Sequence, residues 1–198
     1  DDVESRGLGD VYKRQIFKLI HNSLKLDPKV ISFADETNKF KVDIYIGENR
    51  PDIGFSTYST IGLSNYTIGL VDEHEHEIRV EFIGMCVNDF VEFPNIIASC
   101  AFNIIKDSYS CRPGMVVPNI IRDYDDKLEM KHIYYTYPTY WENLQGQVID
   151  DHIVNWLFTV PISDNELEYL EKYGIESFEE LLETNNTEVF DIYRKSVL

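Results

Sequence analysis

Cysteine is scarce in this 198-residue sequence, and so are long apolar stretches. Its three cysteines, Cys86, Cys100 and Cys111, show no CxxC spacing, and the first two lie in apolar runs, where free cysteine behaves as a small buried hydrophobe. No apolar run approaches the ~20 residues of a membrane-spanning helix, and no signal peptide is recognisable. We therefore expect a protein of the reducing cytoplasm, with no membrane partner.

Basic residues are also few. The sequence has 18 basic and 35 acidic residues, a formal net charge of -17. Residues 161–198 hold ten acidic and three basic side chains, and residues 72–92 hold seven and one. Nucleic acids and anionic membranes are bound through Lys and Arg, so we expect neither as a partner. A basic protein would be attracted, although acidity can also serve solubility alone.

The common catalytic patterns are missing as well. Ser64 does not lie in GxSxG, and there is no HExxH and no phosphate-binding glycine loop. His74 and His76 could share a metal ion on a strand, but their polar run is more simply interpreted as a solvated turn. Residues 123–129 lack the glycine of a calcium loop. We expect no catalytic site, metal or cofactor; the alternative is a metal-dependent hydrolase built on His74, His76, His132 or His152.

Hydrophobic periodicity predicts a mixture of strands and helices. Alternation indicates strands at 39–46, 55–61, 66–71, 77–86, 115–117, 133–137 and 154–160, the last stopping at Pro161. Helical spacing indicates helices at 16–26, 94–107, 163–174 and 178–182. Ser163 and Glu166 form a capping box, and Gly174 ends its helix. Because strands and helices do not alternate regularly, we predict an α+β single domain, a mixed and mostly antiparallel sheet with helices packed on one side.

The first fifteen residues do not fit this pattern. They are polar, contain two glycines and show no apolar periodicity. They resemble translated adapter-like ends of gene fragments. We interpret residues 1–15 as an artefact or a disordered tail and place the domain at 16–198.

Acidic and aromatic residues are the candidates for contacting a protein partner. Tyr and Trp are preferred interface anchors, and the run from 134 to 141 has more aromatic rings than one strand face can bury. Alternatively, half of these rings cover the core. The predicted partner surface comprises Glu73, Glu75, Glu77, Asp123, Asp125, Asp126, Glu129, Tyr135, Tyr137, Tyr140 and Trp141.

Three stretches resemble the suppressor of fused family. FSTYSTIGLS at 55–64 resembles its T-x-GLS corner, VNWLFTVPISDNE at 154–166 resembles its W-L-x-x-x-P-I-S/T-x-x-E junction, and DIYRKS at 191–196 resembles its D-x-x-R-x-S ending. The resemblance covers residues 16–198. The residues that carry it are structural: Gly62, Leu63, Ser64, Trp156, Pro161, Ser163, Glu166, Gly174 and Arg194.

The resemblance implies a suppressor-of-fused-like domain and a function. Stand-alone bacterial members look like immunity proteins or antitoxins paired with secreted toxins, including nucleases. We therefore expect a non-enzymatic immunity protein that neutralises a basic toxin by direct binding. We expect this protein to lack the second domain and the insert of the animal regulators that bind a transcription factor, which argues against that function here. An intracellular adaptor that binds a peptide along a sheet edge is the alternative.

Overall fold

A mixed sheet runs through the centre of the protein, and the computed structural model describes residues 2–25 and 28–198. Its strands are β1 (Lys29–Ala34), β2 (Lys41–Glu48), β3 (Phe55–Ile61), β4 (Leu70–Val71), β5 (Glu77–Val87), β6 (Val116–Val117), β7 (Met130–Thr136), β8 (Gln147–Ile149) and β9 (His152–Ser163). The order is β1-β2-β3-β5-β9-β7-β6, with β4 beside β5 and β8 beside β9. The central pair β5–β9 is parallel and the other pairs in the described chain are antiparallel, which confirms the predicted fold class.

Four helices accompany the sheet in the described part of the chain: α1 (Asp2–Leu24), α2 (Phe93–Asp107), α3 (Asp164–Tyr173) and α4 (Ile175–Thr184). Each of these helices packs into one of two separate apolar cores. One core joins α2 to one face of the sheet, and the other joins α1, α3 and α4 to the opposite face. None of these helices is long and apolar enough to cross a membrane.

The expectation that the helices pack on one side of the sheet is wrong, because helices lie on both of its faces. Adjacent strand residues point to opposite faces of a sheet. Phe82 and Ile83 are both fully buried, one in each core, and the neighbours Tyr134 and Tyr135 are divided in the same way. The central strands are therefore covered on both sides, which simple alternation does not reveal.

The N-terminal helix starts earlier than its predicted first residue, Ile16. The segment 1–15, which we interpreted as an artefact or disordered tail, is helical from Asp2 onward. Tyr12, Ile16, Ile20 and Leu24 follow one another at four-residue intervals and are all buried, so the apolar stripe continues into the excluded segment. That residues 1–15 are an artefact stays a prediction. The predicted helix end, Leu26, lies outside the described residues.

The ends of other strands and helices also differ from the predicted ones. The buried strand does not stop at Pro161, because β9 continues to Ser163 with Pro161 opposite Ile133. Pairing with β5 ends at Thr159, so the missing N–H of proline interrupts no bond on that side. The short strands β1 and β8 were not predicted, β4 is shorter than expected, and α4 is longer.

Candidate functional site

The Gly-Leu-Ser corner encloses a buried carboxylate. Glu81, on β5, is fully buried and accepts hydrogen bonds from the backbone N–H groups of Gly62, Leu63 and Ser64 at 2.9, 3.2 and 3.0 Å. The hydroxyls of Thr60 and Ser64 each donate to it at 2.5 Å. Gly62 has φ +91°, the left-handed region that favours glycine and lets the chain curl around the carboxylate. Burial raises the pKa of Glu81, and the hydrogen bonds from Ser64, Thr60 and Gly62 oppose this shift. The corner is thus a structural element.

A second buried carboxylate fastens the C-terminal segment to the domain. Glu166 is fully buried and forms a bidentate pair with Arg194, with N–O distances of 2.6 and 2.8 Å. Arg194 also donates to the carbonyl of Pro161 at 2.9 Å. The capping box at Ser163 and Glu166 is confirmed, and Glu166 additionally accepts the N–H of Val197 at 3.1 Å. The junction and the ending that carry the resemblance therefore form one buried polar network.

His132 is buried with both ring nitrogens engaged. Its Nδ1 accepts the backbone N–H of Asn119 at 2.9 Å, and its Nε2 lies 3.0 Å from Asp164 Oδ1. Because Nδ1 is an acceptor, the ring proton is assigned to Nε2, which donates it to Asp164. Neither nitrogen of His132 is therefore available as a general base for a serine nucleophile. The hydroxyl of Ser64 is also engaged, because it donates to Glu81.

The other histidines of the hydrolase hypothesis lie far from His132. His74 and His76 lie on an exposed turn with ring centroids 6.1 Å apart, and His152 is 3.7 Å from Glu77. His152 begins β9, whereas His132 pairs with Ile162, ten residues further along, or about 33 Å. Among the side chains of residues 11–25 and 28–198, no group of three or more His, Cys, Asp or Glu is placed to hold a metal ion.

The acidic part of the predicted partner surface is split in two. Residues 73–77 lie near His152, at the start of β9, and residues 123–129 precede Met130, which pairs with Ser163 at its end. Eleven residues of strand, about 36 Å, separate these ends. The structure does not bring the two runs together. The exposed members are Glu73, Glu75, Asp123, Asp126 and Glu129, and the half-buried ones are Glu77 and Asp125.

The aromatic part of that prediction needs a correction. Tyr135 is 1% exposed and stacks on Phe82 at 4.8 Å, and Trp141 is 7% exposed and packs against Phe158 at 5.3 Å. Both belong to the cores and are not available to a partner. Tyr137 and Tyr140 are 56% and 55% exposed, so two of the five rings of the run are accessible.

These two tyrosines line a groove that the sequence analysis missed. It has a volume of about 760 Å³ and lies between the strands β7 and β9 on one side and α4 with residues 186–190 on the other. Five of its lining residues are acidic: Glu176, Glu179, Glu180, Glu183 and Glu188. The first four have the i, i+3, i+4, i+7 spacing of a single helix face, a signal that was present in the acidic segment 161–198.

The comparisons with known proteins agree with this fold. The family model for suppressor of fused protein matches residues 38–195. The chain belongs to the suppressor of fused family. Within this family, it is similar to immunity protein YqcF of Bacillus subtilis (strain 168), with 34% identity over 172 residues, which are 86% of this chain and 89% of YqcF. Neither name is that of an enzyme.

Solved structures show the same suppressor of fused fold. A homologue from Neisseria gonorrhoeae FA 1090 has a TM-score of 0.68 at 17% identity, covering 94% of this chain and 97% of that one. A chain in the crystal structure of the Sufu–Fu complex has a TM-score of 0.68 at 11% identity, with 94% and 92% covered. Drosophila Suppressor of Fused, at 11% identity and a TM-score of 0.64, is matched over 50% of its length.

Proposed function

We propose that this protein is an immunity protein that neutralises a cognate toxin by binding it in the cytoplasm of the cell that makes both. The observation that carries the proposal is the 34% identity with YqcF, which extends over 86% of this chain and 89% of that immunity protein. A match of this extent covers the complete sheet rather than a shared fragment. Immunity is therefore the function that the relationship favours.

The placement of the polar residues supports a role in binding. Those that characterise the fold, Glu81, Glu166 and Arg194, have their charges satisfied inside the domain. The charges that remain available lie on the surface and are mostly negative. We infer that the toxin is basic and is steered to this surface. A nuclease would fit, because its phosphate-binding surface is complementary to carboxylates.

Co-expression tests the proposal. The protein encoded by the neighbouring gene is induced in a bacterial host that lacks both genes, with and without this chain. We expect growth arrest by the neighbour alone and survival when the two are produced together. A harmless neighbour, or arrest that persists despite soluble expression of this chain, would contradict the immunity function.

A titration separates binding from enzymatic inactivation. Increasing amounts of the purified chain are added to the purified toxin, and the residual toxin activity is measured. A binding inhibitor removes activity linearly up to one equivalent, whereas an enzyme inactivates many equivalents of toxin with time. An endpoint at equimolar concentration supports direct binding, and complete inactivation by a small fraction of an equivalent refutes it.

A further inference from the structure

The groove beside α4 carries a concentrated negative charge that the domain does not neutralise. Of its five carboxylates, Glu179 is half-buried and Glu176, Glu180, Glu183 and Glu188 are exposed. None of the ion pairs between described residues includes any of the five, and no Lys or Arg lines the groove. Like charges held this close repel one another, so a cation that enters gains from all of them.

Glu179 is held in a fixed position at the wall of the groove. The hydroxyls of Tyr134 and Thr136 donate to its Oε1 at 2.8 and 2.5 Å. Its Oε2 has no hydrogen bond within the described part of the chain. A carboxylate whose orientation is already fixed loses little conformational entropy when it binds a donor. Glu179 is thus prepared to accept a hydrogen bond from outside the domain.

Uncharged groups in the same groove also favour a polypeptide ligand. Tyr140 contacts Phe158 and Phe190 edge-on, at 5.6 and 5.8 Å, and leaves 55% of its surface exposed. The Oγ1 of Thr187 is buried and has no hydrogen-bond partner among the described residues. Buried polar atoms are normally paired, so a polar group on a ligand bound in this groove would pair with a hydroxyl that the described residues leave unpaired. The aromatic surface adds a platform for cation–π contacts.

The chemistry of the groove disfavours phosphate-bearing ligands and metal ions. Phosphate-bearing ligands, including nucleic acids, would be repelled by five carboxylates. The described residues offer no three-ligand arrangement for a metal ion. A volume of about 760 Å³ lies within the ~300–1,000 Å³ range of ligand pockets and is open enough for several side chains. Lys and Arg side chains on a protein segment remain the complementary ligand.

We propose that this groove is the docking site for an Arg- or Lys-rich segment of the toxin, with a guanidinium or ammonium group bound by Glu179 and stacked near Tyr137 and Tyr140. The inference rests on the proposed immunity function and specifies its contact surface. The groove shares Tyr137 and Tyr140 with the surface predicted from sequence, but the acidic runs at 73–77 and 123–129 of that surface lie outside it.

Two triple variants with equal charge changes test this assignment. The groove variant is Glu180→Gln/Glu183→Gln/Glu188→Gln, and the control is Glu73→Gln/Glu75→Gln/Asp123→Asn. All six residues are exposed, so both proteins should fold, and equal urea midpoints verify this. Binding to the purified toxin domain of the neighbouring gene is measured by calorimetry at about 150 mM salt, where charges more than about 8 Å apart are largely screened.

We expect the groove variant to raise Kd by about 100-fold or more, because each lost carboxylate removes a desolvated charge contact. The Kd of the control should stay within about threefold of wild type, because its three substituted residues lie outside the groove. Equal losses in both variants would indicate general charge attraction, and a loss in the control alone would place the toxin on the other surface. Either result overturns the assignment of the groove as the docking site.

A single aromatic substitution provides a second measurement that does not alter charge. Tyr137→Ala should increase the dissociation rate about tenfold or more, as for an interface anchor. Tyr109→Ala, which removes a tyrosine that is 40% exposed and outside the groove, should leave this rate unchanged. If wild type binds the toxin and all groove variants bind equally well, only the groove assignment fails. If the wild-type protein does not bind the toxin, both the immunity function and the assignment of the groove as its docking site are contradicted.

Discussion

Replacing Arg194 by methionine should remove a large part of the stability of this domain. Arg194 forms the bidentate contact with Glu166 at 2.6 and 2.8 Å and also donates to two backbone carbonyls, those of Pro161 and Lys195, at 2.9 and 3.1 Å. Methionine fills a similar space but offers no donor. The carboxylate of Glu166, which is fully buried, would then be left without its cation.

The expected cost follows from that unpaired charge. Removing one partner of a buried ion pair typically destabilises a protein by about 3–5 kcal/mol, against a total stability of about 5–15 kcal/mol. For a chain of this length, each kcal/mol lowers the melting temperature by about 2–4 °C, so we expect a decrease of roughly 6–20 °C. Urea unfolding followed by circular dichroism measures the free energy directly through the midpoint and slope.

Two further variants decide whether burial is the cause. Lys195→Met removes the adjacent charge, which is 89% exposed and pairs with Glu129 at 3.1 Å; an exposed pair contributes about 0–1 kcal/mol. The double variant Glu166→Gln/Arg194→Met removes both buried charges and should be less destabilised than the sum of its single changes. A cost below about 1 kcal/mol for Arg194→Met, or strict additivity in the double variant, would refute the reasoning.

Two other predictions concern acid stability and the corrected aromatic residues. The backbone N–H of Phe40 donates a hydrogen bond to Asp35 and holds the pKa of this carboxyl well below its usual range. The ionised carboxylate of Asp35 therefore stabilises the folded state at pH values above the unfolded pKa of about 3.9, and this contribution is lost as the pH falls further. Urea midpoints between pH 6 and 2 should show the advantage of wild type over Asp35→Asn shrinking toward acid; a constant difference contradicts this. Tyr135→Ala should cost about 3–5 kcal/mol, as for a buried aromatic residue, and Tyr137→Ala less than about 0.5 kcal/mol; equal thermal shifts would contradict the assigned burial.

Local patterns were sufficient to predict most elements of the fold. The capping box at Ser163 acts over three residues, and the alternation at 55–61 and 77–86 depends only on neighbouring positions. These signals located the α3 helix and the strands β3 and β5 closely. The short strand β8, which consists of Gln147–Ile149, is defined by its pairing with β9 rather than by its own residues, and local patterns could not find it.

The candidate site depends on contacts between distant parts of the chain. Glu81 reads in sequence as a surface residue of an alternating strand, but its hydrogen-bond partners lie 17 to 21 residues earlier. Tyr134 and Glu179 are separated by 45 residues and meet only because α4 packs on the sheet. The acidic stripe of α4 could have been found from its spacing, but not that it faces exposed tyrosines. Tertiary contacts therefore determine which charges are structural and which are free.

In the proposed immunity function, the buried and the exposed carboxylates have different roles. The buried carboxylates Glu81 and Glu166 are satisfied by residues of the same chain, so neither requires a group from a partner. The carboxylates of the groove form no ion pair among the described residues, and exposed charges contribute little to stability. Partner specificity can therefore change by surface substitution without a large cost in folding free energy, which is how one fold can serve different partners. Substitutions in the buried network should reduce binding only through unfolding, whereas substitutions in the groove should reduce binding in a folded protein.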